Sequence, residues 1–197
     1  MTEDEVIANA EFMRDNLRDY GWEYVVVDIR WTVQNPSPGY NLTDPVFTID
    51  DYGRYQPAPN RFPSSADGKG FKPLADKIHS MGLKFGIHVM RGLPKEAANR
   101  KLPVKGLNGV TCDQICNSDS ACFWLPDNYK VVESKEGQAY YNSVFEQYAQ
   151  WGVDFVKIDD LSRPVHEGEI RMIRNAIDNC GRPIVFSLSP VSYTHLT

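Results

Sequence analysis

The stretch at residues 152–159 reads GVDFVKID: a glycine, a short run of β-type residues, and a carboxylate at its end. A glycine directly after a helix adopts the left-handed cap conformation, and Val, Ile, Tyr and Phe favour a buried strand. A glycine followed by a β-type run that ends on a polar residue occurs three more times, and each time a segment with helical apolar spacing comes first. Each unit therefore predicts a helix followed by a strand. The four units are Gly21 with Glu23–Asp28, Gly82 with Leu83–His88, Gly152 with Val153–Asp159, and Gly181 with Pro183–Ser187.

Alternating helices and strands predict an α/β fold with a parallel sheet, and four strands amount to half of a (β/α)8 TIM barrel. The chain has 197 residues, whereas a full barrel needs roughly 250. We expect a partial barrel truncated at both ends, because the first residues already carry a helix-start signal. Residues 1–191 are expected to form this barrel fragment. Residues 192–197 continue no pattern and are expected to be a non-native tail, with a natural tail as the alternative.

Four helices and two long loops complete the predicted organisation. The Pro- and Gly-rich loops, at residues 33–70 and 91–136, leave the carboxyl ends of the first two strands. Long loops at that edge usually shape a binding site. The helices are predicted from the capping box at Thr2 to Tyr20, over Phe71–Met81, near Gln138–Trp151 and near Glu167–Asn179.

Composition restricts the class of partner. The net charge is −5 and basic residues form no run, which argues against nucleic acid or an anionic membrane surface as a partner. No apolar run approaches the length of a membrane span. The spacing of Cys112, Cys116 and Cys122 lacks a fourth ligand for structural zinc, so a disulfide and free thiols both stay open. We expect no metal or organic cofactor.

Lys157 and Asp159 form the sharpest local signal. They alternate with apolar residues, so both side chains are predicted to point into the barrel lumen, whereas Asp160 points the opposite way and cannot chelate a metal with Asp159. A lysine there needs a carboxylate partner, and its charge favours the ionised form of that carboxyl. An ionised Asp159 at a strand end is a candidate nucleophile; a structural salt bridge is the alternative.

Asp28 and His88 end two other strands, and the carboxyl ends of parallel barrel strands share one rim. Asp28 with Trp31 predicts a carboxylate beside an aromatic face, a combination that binds sugars by hydrogen bonding and ring stacking. A loop cap for Asp28 and core packing for Trp31 are the alternatives. His88 is predicted either to donate to a substrate hydroxyl or to serve a structural role.

Four ordered motifs resemble those of glycoside hydrolase family 27, the α-galactosidase or melibiase family. The resemblance extends from residue 1 to about residue 190. It implies a (β/α)8 catalytic domain that hydrolyses terminal α-linked galactose-type sugars with retention of configuration, and a carbohydrate as the partner. It also implies export from the cytoplasm, and it leaves the oligomeric state open. The motifs are YVVVDIRW at 24–31, NRFP at 60–63, GLKFGIH at 82–88 and WGVDFVKID at 151–159.

The resemblance also implies roles for particular residues. Asp159 matches the nucleophile, Lys157 matches a lysine that binds sugar hydroxyls, and Asp28 matches the first of two adjacent acids that hold the O4 and O6 region of the sugar. His88 stands where a tyrosine is usual. Ser189 occupies a position where galactosidases often have Glu and N-acetylgalactosaminidases have Ser. The general acid lies beyond residue 197 in the family.

Ile29 departs from the family pattern, because a second acid is common at its position. With Ile29 in place of an acid, the site lacks a hydrogen-bond acceptor near C6 of the sugar. The loss matters less for a β-L-arabinopyranose, because that sugar has no C6 hydroxymethyl group. Leu161 likewise replaces a cysteine of the family's disulfide. β-L-Arabinopyranosidase and α-N-acetylgalactosaminidase activities therefore stay open. A non-catalytic sugar-binding barrel and a Schiff-base role for Lys157 are further alternatives.

Overall fold

Four parallel strands form the sheet that carries the site. The computed structural model of the protein describes residues 1–35, 44–162 and 164–188. The order of these strands across the sheet follows the order of the four units along the chain, and every neighbouring pair is parallel, which confirms the α/β class. The strands are β1 at Tyr24–Val27, β2 at Lys84–Met90, β6 at Phe155–Asp159 and β7 at Val185–Leu188.

The helices largely follow the predicted segments. The first helix ends at Asn16 rather than Tyr20, and Arg18–Tyr20 forms a separate 3-10 turn. The third predicted helix begins earlier, at Lys135, because the Ser134 side chain accepts a hydrogen bond from the Gly137 amide and caps it. The helices are α1 at Glu3–Asn16, α2 at Lys72–Ser80, α3 at Lys95–Asn99, α4 at Lys135–Trp151 and α5 at Glu167–Asn179.

Glycine caps connect the helices to the strands, as the sequence indicates. Gly152 ends α4 with φ of 81°, a conformation that is costly for a residue with a Cβ. β6 nevertheless begins at Phe155 rather than Val153, because the Asp154 carboxylate accepts a hydrogen bond from the Phe85 amide and belongs to the connection. The other three glycines also have positive φ: Gly21 at 88°, Gly82 at 73° and Gly181 at 79°.

The two faces of the sheet differ in environment. The helix-facing side is buried, and its residues belong to one continuous core with α1, α2, α4 and α5. The opposite side carries Tyr24 and Phe155, whose ring centroids lie 5.6 Å apart, and it leaves Lys157 partly exposed. Alternation along each strand produces this division. The helix-facing strand residues include Val25, Val27, Phe85, Ile87, Val156 and Ile158.

The second long insertion, at residues 91–136, was expected to be a loop, but part of it is regular secondary structure. It contains α3 and a small antiparallel sheet in the order β3-β5-β4, in which Leu93 pairs with Tyr129. Such short strands show no periodicity, and their partners lie far apart in sequence, so no local signal predicts them. The strands are β3 at Leu93–Pro94, β4 at Cys116–Asn117 and β5 at Asn128–Val131.

The cysteines are unpaired in the structure. All four lie within the described ranges and are free thiols, rather than members of a disulfide. Burial raises the pKa of the Cys112 thiol to about 12. Within the described residues, no helix has both the length and the apolar character needed to cross a bilayer.

Candidate active site

Three side chains from three neighbouring strands meet at the carboxyl end of the sheet. Asp28 follows β1, His88 lies in β2, and Asp159 ends β6. His88 Nδ1 lies 2.7 Å from Asp28 Oδ1, and His88 Nε2 lies 2.8 Å from Asp159 Oδ2. The histidine therefore bridges the two carboxylates.

Strand register explains this arrangement. His88 pairs with Lys157, and Met90 pairs with Asp159. Paired residues of parallel strands point to the same face, and so do residues two apart on one strand. Asp28 comes directly after Val27, the partner of Ile87, which brings its side chain beside His88. All of these side chains consequently face the lumen.

The site has a buried floor and an open edge. The side chains of His88 and Asp159 are only 7% and 11% exposed, whereas that of Asp28 is 65% exposed. Asp159 is thus held in place from below, and Asp28 presents oxygen atoms to solvent.

Lys157 lies within ion-pair distance of Asp159, on the same face of β6. Its Nζ is 3.4 Å from Oδ1 and 3.5 Å from Oδ2 of that carboxylate. These separations are longer than the usual 2.7–2.9 Å of a charge-assisted hydrogen bond. The ammonium group therefore supplies positive charge near Asp159 while keeping donors for another partner.

The environment of Asp28 favours its ionised form. Burial acts to raise the pKa of this carboxyl, but the hydrogen bond with His88 and the Ile29 amide, together with the charges of His88 and Lys157, outweighs burial and lowers the pKa. Asp28 Oδ1 accepts from the Ile29 amide at 2.9 Å. The carboxylate is therefore a hydrogen-bond acceptor at neutral pH.

Trp31 corrects the expectation of ring stacking on a sugar. Its side chain is 1% exposed and packs edge-on against Phe71 and Trp151, with centroid distances of 5.0 and 6.2 Å. Its indole N–H donates to the His88 carbonyl oxygen at 3.0 Å. Core packing, the alternative weighed for this residue, is what the structure shows; Trp31 supports β2 beneath His88.

An apolar wall, formed by Ile29, Met90, Cys122 and Leu125, stands beside these polar groups. Met90 is the register partner of Asp159, so the wall borders the nucleophile candidate directly. Of these residues, Ile29 was predicted from the sequence and Met90 was not, although the position of Met90 two residues after His88 places both side chains on one face of β2. Cys122 and Leu125 had no such signal, because the insertion brings them to the site.

Charged pairs outside the lumen secure the loops around the site. The Arg30 guanidinium makes two hydrogen bonds to the Asp127 carboxylate, at 3.1 and 3.2 Å. Arg91 Nε lies 2.8 Å from Asp160 Oδ2, and it also donates to the Asp160 carbonyl at 2.7 Å. Asp160 therefore points away from Asp159, as the alternation of strand residues predicts.

Two predicted features lie outside the described residues. One is Ser189, the expected reader of the sugar's 2-substituent, and the other is the segment 192–197. Ser187 of β7 lies within the described residues and pairs in register with Lys157 of β6. Within the described part of the chain, no group of three or more His, Cys, Asp or Glu side chains is arranged to hold a metal ion.

A wide cavity at the opposite end of the sheet carries different chemistry. It measures about 640 Å³ and is lined by Tyr24, Lys84, Asp154 and Arg182, among others. The charged groups there are already paired, Lys84 with Glu23 at 2.7 Å and Arg182 with Asp154 at 2.5 Å. The size of a cavity therefore does not by itself identify a functional site on this sheet.

Comparison with known proteins agrees with this geometry. A family model described as "Alpha galactosidase A" matches residues 1–98. A solved β-L-arabinopyranosidase of glycoside hydrolase family 27, from Geobacillus stearothermophilus, is 51% identical, with a TM-score of 0.92 over 96% of this chain and 45% of its own. This chain belongs to glycoside hydrolase family 27.

Two further relatives show how much of a related protein this chain corresponds to. A variant of the Geobacillus enzyme, solved in complex with arabinose, is 49% identical to this chain with a TM-score of 0.92. The match covers 100% of this chain and 47% of the variant's chain. The α-N-acetylgalactosaminidase of Mus musculus is 30% identical over 91% of this chain and 31% of its own length. The chain thus spans about a third of this curated relative and under half of the solved structures, which confirms the predicted partial TIM barrel.

Proposed function

We propose that this domain belongs to a retaining exo-glycosidase with Asp159 as nucleophile, and that its preferred substrate is a terminal β-L-arabinopyranoside. The single observation that carries the proposal is the lumen-facing Asp159 carboxylate, hydrogen-bonded by His88, beside Lys157 and an apolar wall. An α-galactoside or an α-N-acetylgalactosaminide is the second candidate. Both sugars share the ring configuration of β-L-arabinopyranose, and the mouse relative is named an α-N-acetylgalactosaminidase.

In the retaining mechanism, an Asp159 oxygen forms a bond to the anomeric carbon as the bond from that carbon to the leaving oxygen breaks. A second carboxylic acid, about 5 Å from the nucleophile, donates its proton to the leaving oxygen and later deprotonates the water that releases the sugar. We assign that acid to sequence beyond residue 197. Residues 1–197 alone are accordingly expected to be inactive.

The other polar groups have distinct proposed roles. His88 orients the nucleophile, because its ring contacts one carboxylate oxygen of Asp159 at 2.8 Å. Lys157 and Asp28 bind substrate hydroxyls, the first as donor and the second as acceptor. Asp28 is suited to this because it is open to solvent and ionised.

Substrate preference is proposed to come from Ile29. β-L-Arabinopyranose has the ring configuration of α-D-galactopyranose but carries no hydroxymethyl group at C5. Ile29 packs on Met90 and Leu125 and offers no hydrogen bond to such a group, and a hydroxyl buried without a partner costs about 1–3 kcal/mol. The pentose avoids that cost.

Asp159→Ala in the complete gene product tests the nucleophile. We expect hydrolysis of aryl β-L-arabinopyranoside, α-D-galactopyranoside and α-N-acetylgalactosaminide to fall about a thousandfold or more, and added azide to restore turnover by replacing the carboxylate. Asp178→Ala, which removes an exposed carboxylate of α5, serves as the matched control with unchanged rates. Undiminished hydrolysis by the Asp159 variant would reject the assignment.

Ile29→Asp tests the substrate preference. A carboxylate at this position supplies an acceptor for the sugar's C6 hydroxyl, so the ratio of kcat/KM for galactoside over arabinopyranoside is expected to rise about tenfold. Ile29→Leu, which keeps the wall apolar, should leave that ratio low. A wild-type enzyme that already prefers galactoside, or a ratio unmoved by Asp, would favour the second candidate.

A further inference from the structure

Two neighbouring aromatic residues stand exposed on a loop whose flanks are buried in the site wall. Cys122 and Leu125 are buried, whereas Phe123 and Trp124, which lie between them, are 91% and 37% exposed. We propose that Phe123 and Trp124 form an aromatic platform for the leaving-group portion of the substrate, and that this portion is a neutral saccharide. The inference rests on the proposed function and extends it from the cleaved sugar to the sugar on the other side of the bond.

Both ends of the loop are tied to residues that follow catalytic strands. Cys122 and Leu125 contact Met90, the register partner of Asp159. Asp127 holds Arg30, two residues after Asp28, through two hydrogen bonds. The aromatic pair is therefore presented from the rim of the lumen, at the end of the sheet where the nucleophile lies.

The direction of the reaction places the leaving group on the open side. A nucleophile attacks the anomeric carbon in line with the departing oxygen, so the leaving group lies on the side of the sugar opposite the attacking carboxylate. Asp159 lies on the buried floor, at 11% exposure. The rest of the substrate must therefore extend outward past the rim, where the loop at residues 122–127 presents its aromatic tip.

The composition around the pair favours a neutral sugar. The residues that precede it are mostly polar and exposed: Asn117, Ser118 and Asp119 offer amide, hydroxyl and carboxylate groups. Residues 117–127 contain no Lys or Arg, so the loop supplies no cation for an anionic partner. Aromatic faces combined with a few hydrogen-bonding groups are typical of sites for flat, neutral ligands.

Exposed aromatic residues at the other end of the sheet provide a contrast. Trp22 is 61% exposed, but it precedes β1 and so lies at the amino ends of the strands, away from the nucleophile. Among the exposed aromatic residues in the described part of the chain, Phe123 and Trp124 adjoin the wall that borders Asp159. Trp22 is equally aromatic but lies away from that wall, which makes it a matched control.

The test compares two substrates in the complete gene product. Phe123→Ala, Trp124→Ala and the double variant are assayed on a methyl β-L-arabinopyranoside and on an arabinopyranosyl-terminated oligosaccharide. Loss of stacking should lower the ratio of kcat/KM for oligosaccharide over methyl glycoside about five- to tenfold in the double variant, with the change mainly in KM. Trp124→Phe should retain most of the ratio, and Trp22→Ala should leave both rates unchanged.

Three results would overturn the platform. An unchanged ratio in the double variant means that these rings do not bind the leaving group. A proportional loss on both substrates means that they only support the wall. A fall in oligomeric mass measured by light scattering means that a second copy of the chain covers them. Each result is read in an enzyme that still cleaves the methyl glycoside through Asp159, so it is distinguishable from failure of the proposed function.

Discussion

The two ends of the parallel sheet each hold a histidine and an aspartate in close contact, yet the two pairs differ in what surrounds them. At the carboxyl end, His88 Nε2 lies 2.8 Å from Asp159 Oδ2. At the amino end, His79 Nε2 lies 2.7 Å from Asp154 Oδ2. Residue types and distances are thus nearly the same, and neither pair can be distinguished as a site by its own geometry.

The amino-end pair is saturated by the protein itself. Asp154 also accepts from the Phe85 amide at 2.9 Å and from the Arg182 guanidinium at 2.5 Å. Burial acts to raise the pKa of Asp154, but these hydrogen bonds, that of His79 and the charge of Arg182 lower it overall. The carboxylate joins the ends of α2, β2, β6 and β7, which is a structural role.

The carboxyl-end pair includes side chains that can also bind a ligand. Asp159 contacts His88 and Lys157, and His88 continues to the solvent-open Asp28. The two pairs therefore differ in their surroundings: Asp154 joins several elements of the fold, whereas the pair of His88 and Asp159 continues through Asp28 to solvent at the carboxyl ends of the strands. A histidine–aspartate pair is thus recognised as a candidate site by its access to solvent and by the strand end at which it lies.

The largest expected difference between the ends concerns the two histidines. His88→Ala should lower kcat/KM on aryl arabinopyranoside about a hundredfold, because a displaced nucleophile loses its attack geometry. His79→Ala should leave kcat/KM per folded molecule within about twofold and act on stability instead. Active-site titration, combined with steady-state kinetics, separates the two effects.

The opposite pattern would break the comparison. If His79→Ala lowered kcat/KM as strongly as His88→Ala, the amino end would carry part of the activity. If His88→Ala left kcat/KM unchanged, His88 would have no role in catalysis, and Lys157 would be the residue that positions Asp159.

A smaller effect is expected on stability, with the two aspartates exchanging roles. Asp154→Asn should lower the free energy of unfolding by about 1–3 kcal/mol, because it weakens a carboxylate that holds several elements together. Asp159→Asn should change the free energy of unfolding by less than about 1 kcal/mol, since the amide oxygen of Asn can still accept a hydrogen bond from His88. Urea denaturation of both variants and the wild type, at neutral pH, measures the difference; equal losses would contradict the assignment.

The smallest expected effect is a pH dependence of that same difference. Because folding lowers the pKa of Asp154, its contribution is fully present above the unfolded value, near 3.9, and is lost as the pH falls through the folded value. The stability gap between wild type and Asp154→Asn should therefore be constant from pH 5 to 7 and shrink below about pH 4. A gap that widened in acid would mean that the sign of the shift is wrong.

Local patterns were sufficient for the main chain of the fold and for part of the site. Helical spacing, a capping glycine and a short β-type run are all encoded within about ten residues, so the ends of the four strands could be predicted to within two residues. Strict alternation along β6 likewise placed Lys157 and Asp159 on one face. Family motifs then indicated the chemistry of Asp159.

Contacts between distant segments could not be predicted in this way. Trp31 was expected on the substrate side, but packing against Phe71 and Trp151 buries it. The pairing of Arg30 with Asp127 joins residues 97 positions apart, and the insertion's small sheet depends on similarly distant partners. Nothing in a local window reports such pairs.

By itself, the sequence determined which residues are strands, which caps end the helices and which face of β6 carries the lysine and the aspartate, because these follow from covalent geometry over a few residues. Only the tertiary structure decided that His88 links Asp28 to Asp159, that Trp31 belongs to the core, and that Phe123 and Trp124 stand at the rim. Those outcomes depend on strand register and on how loops fold back over the sheet, and both are set by packing among segments that are far apart in the chain.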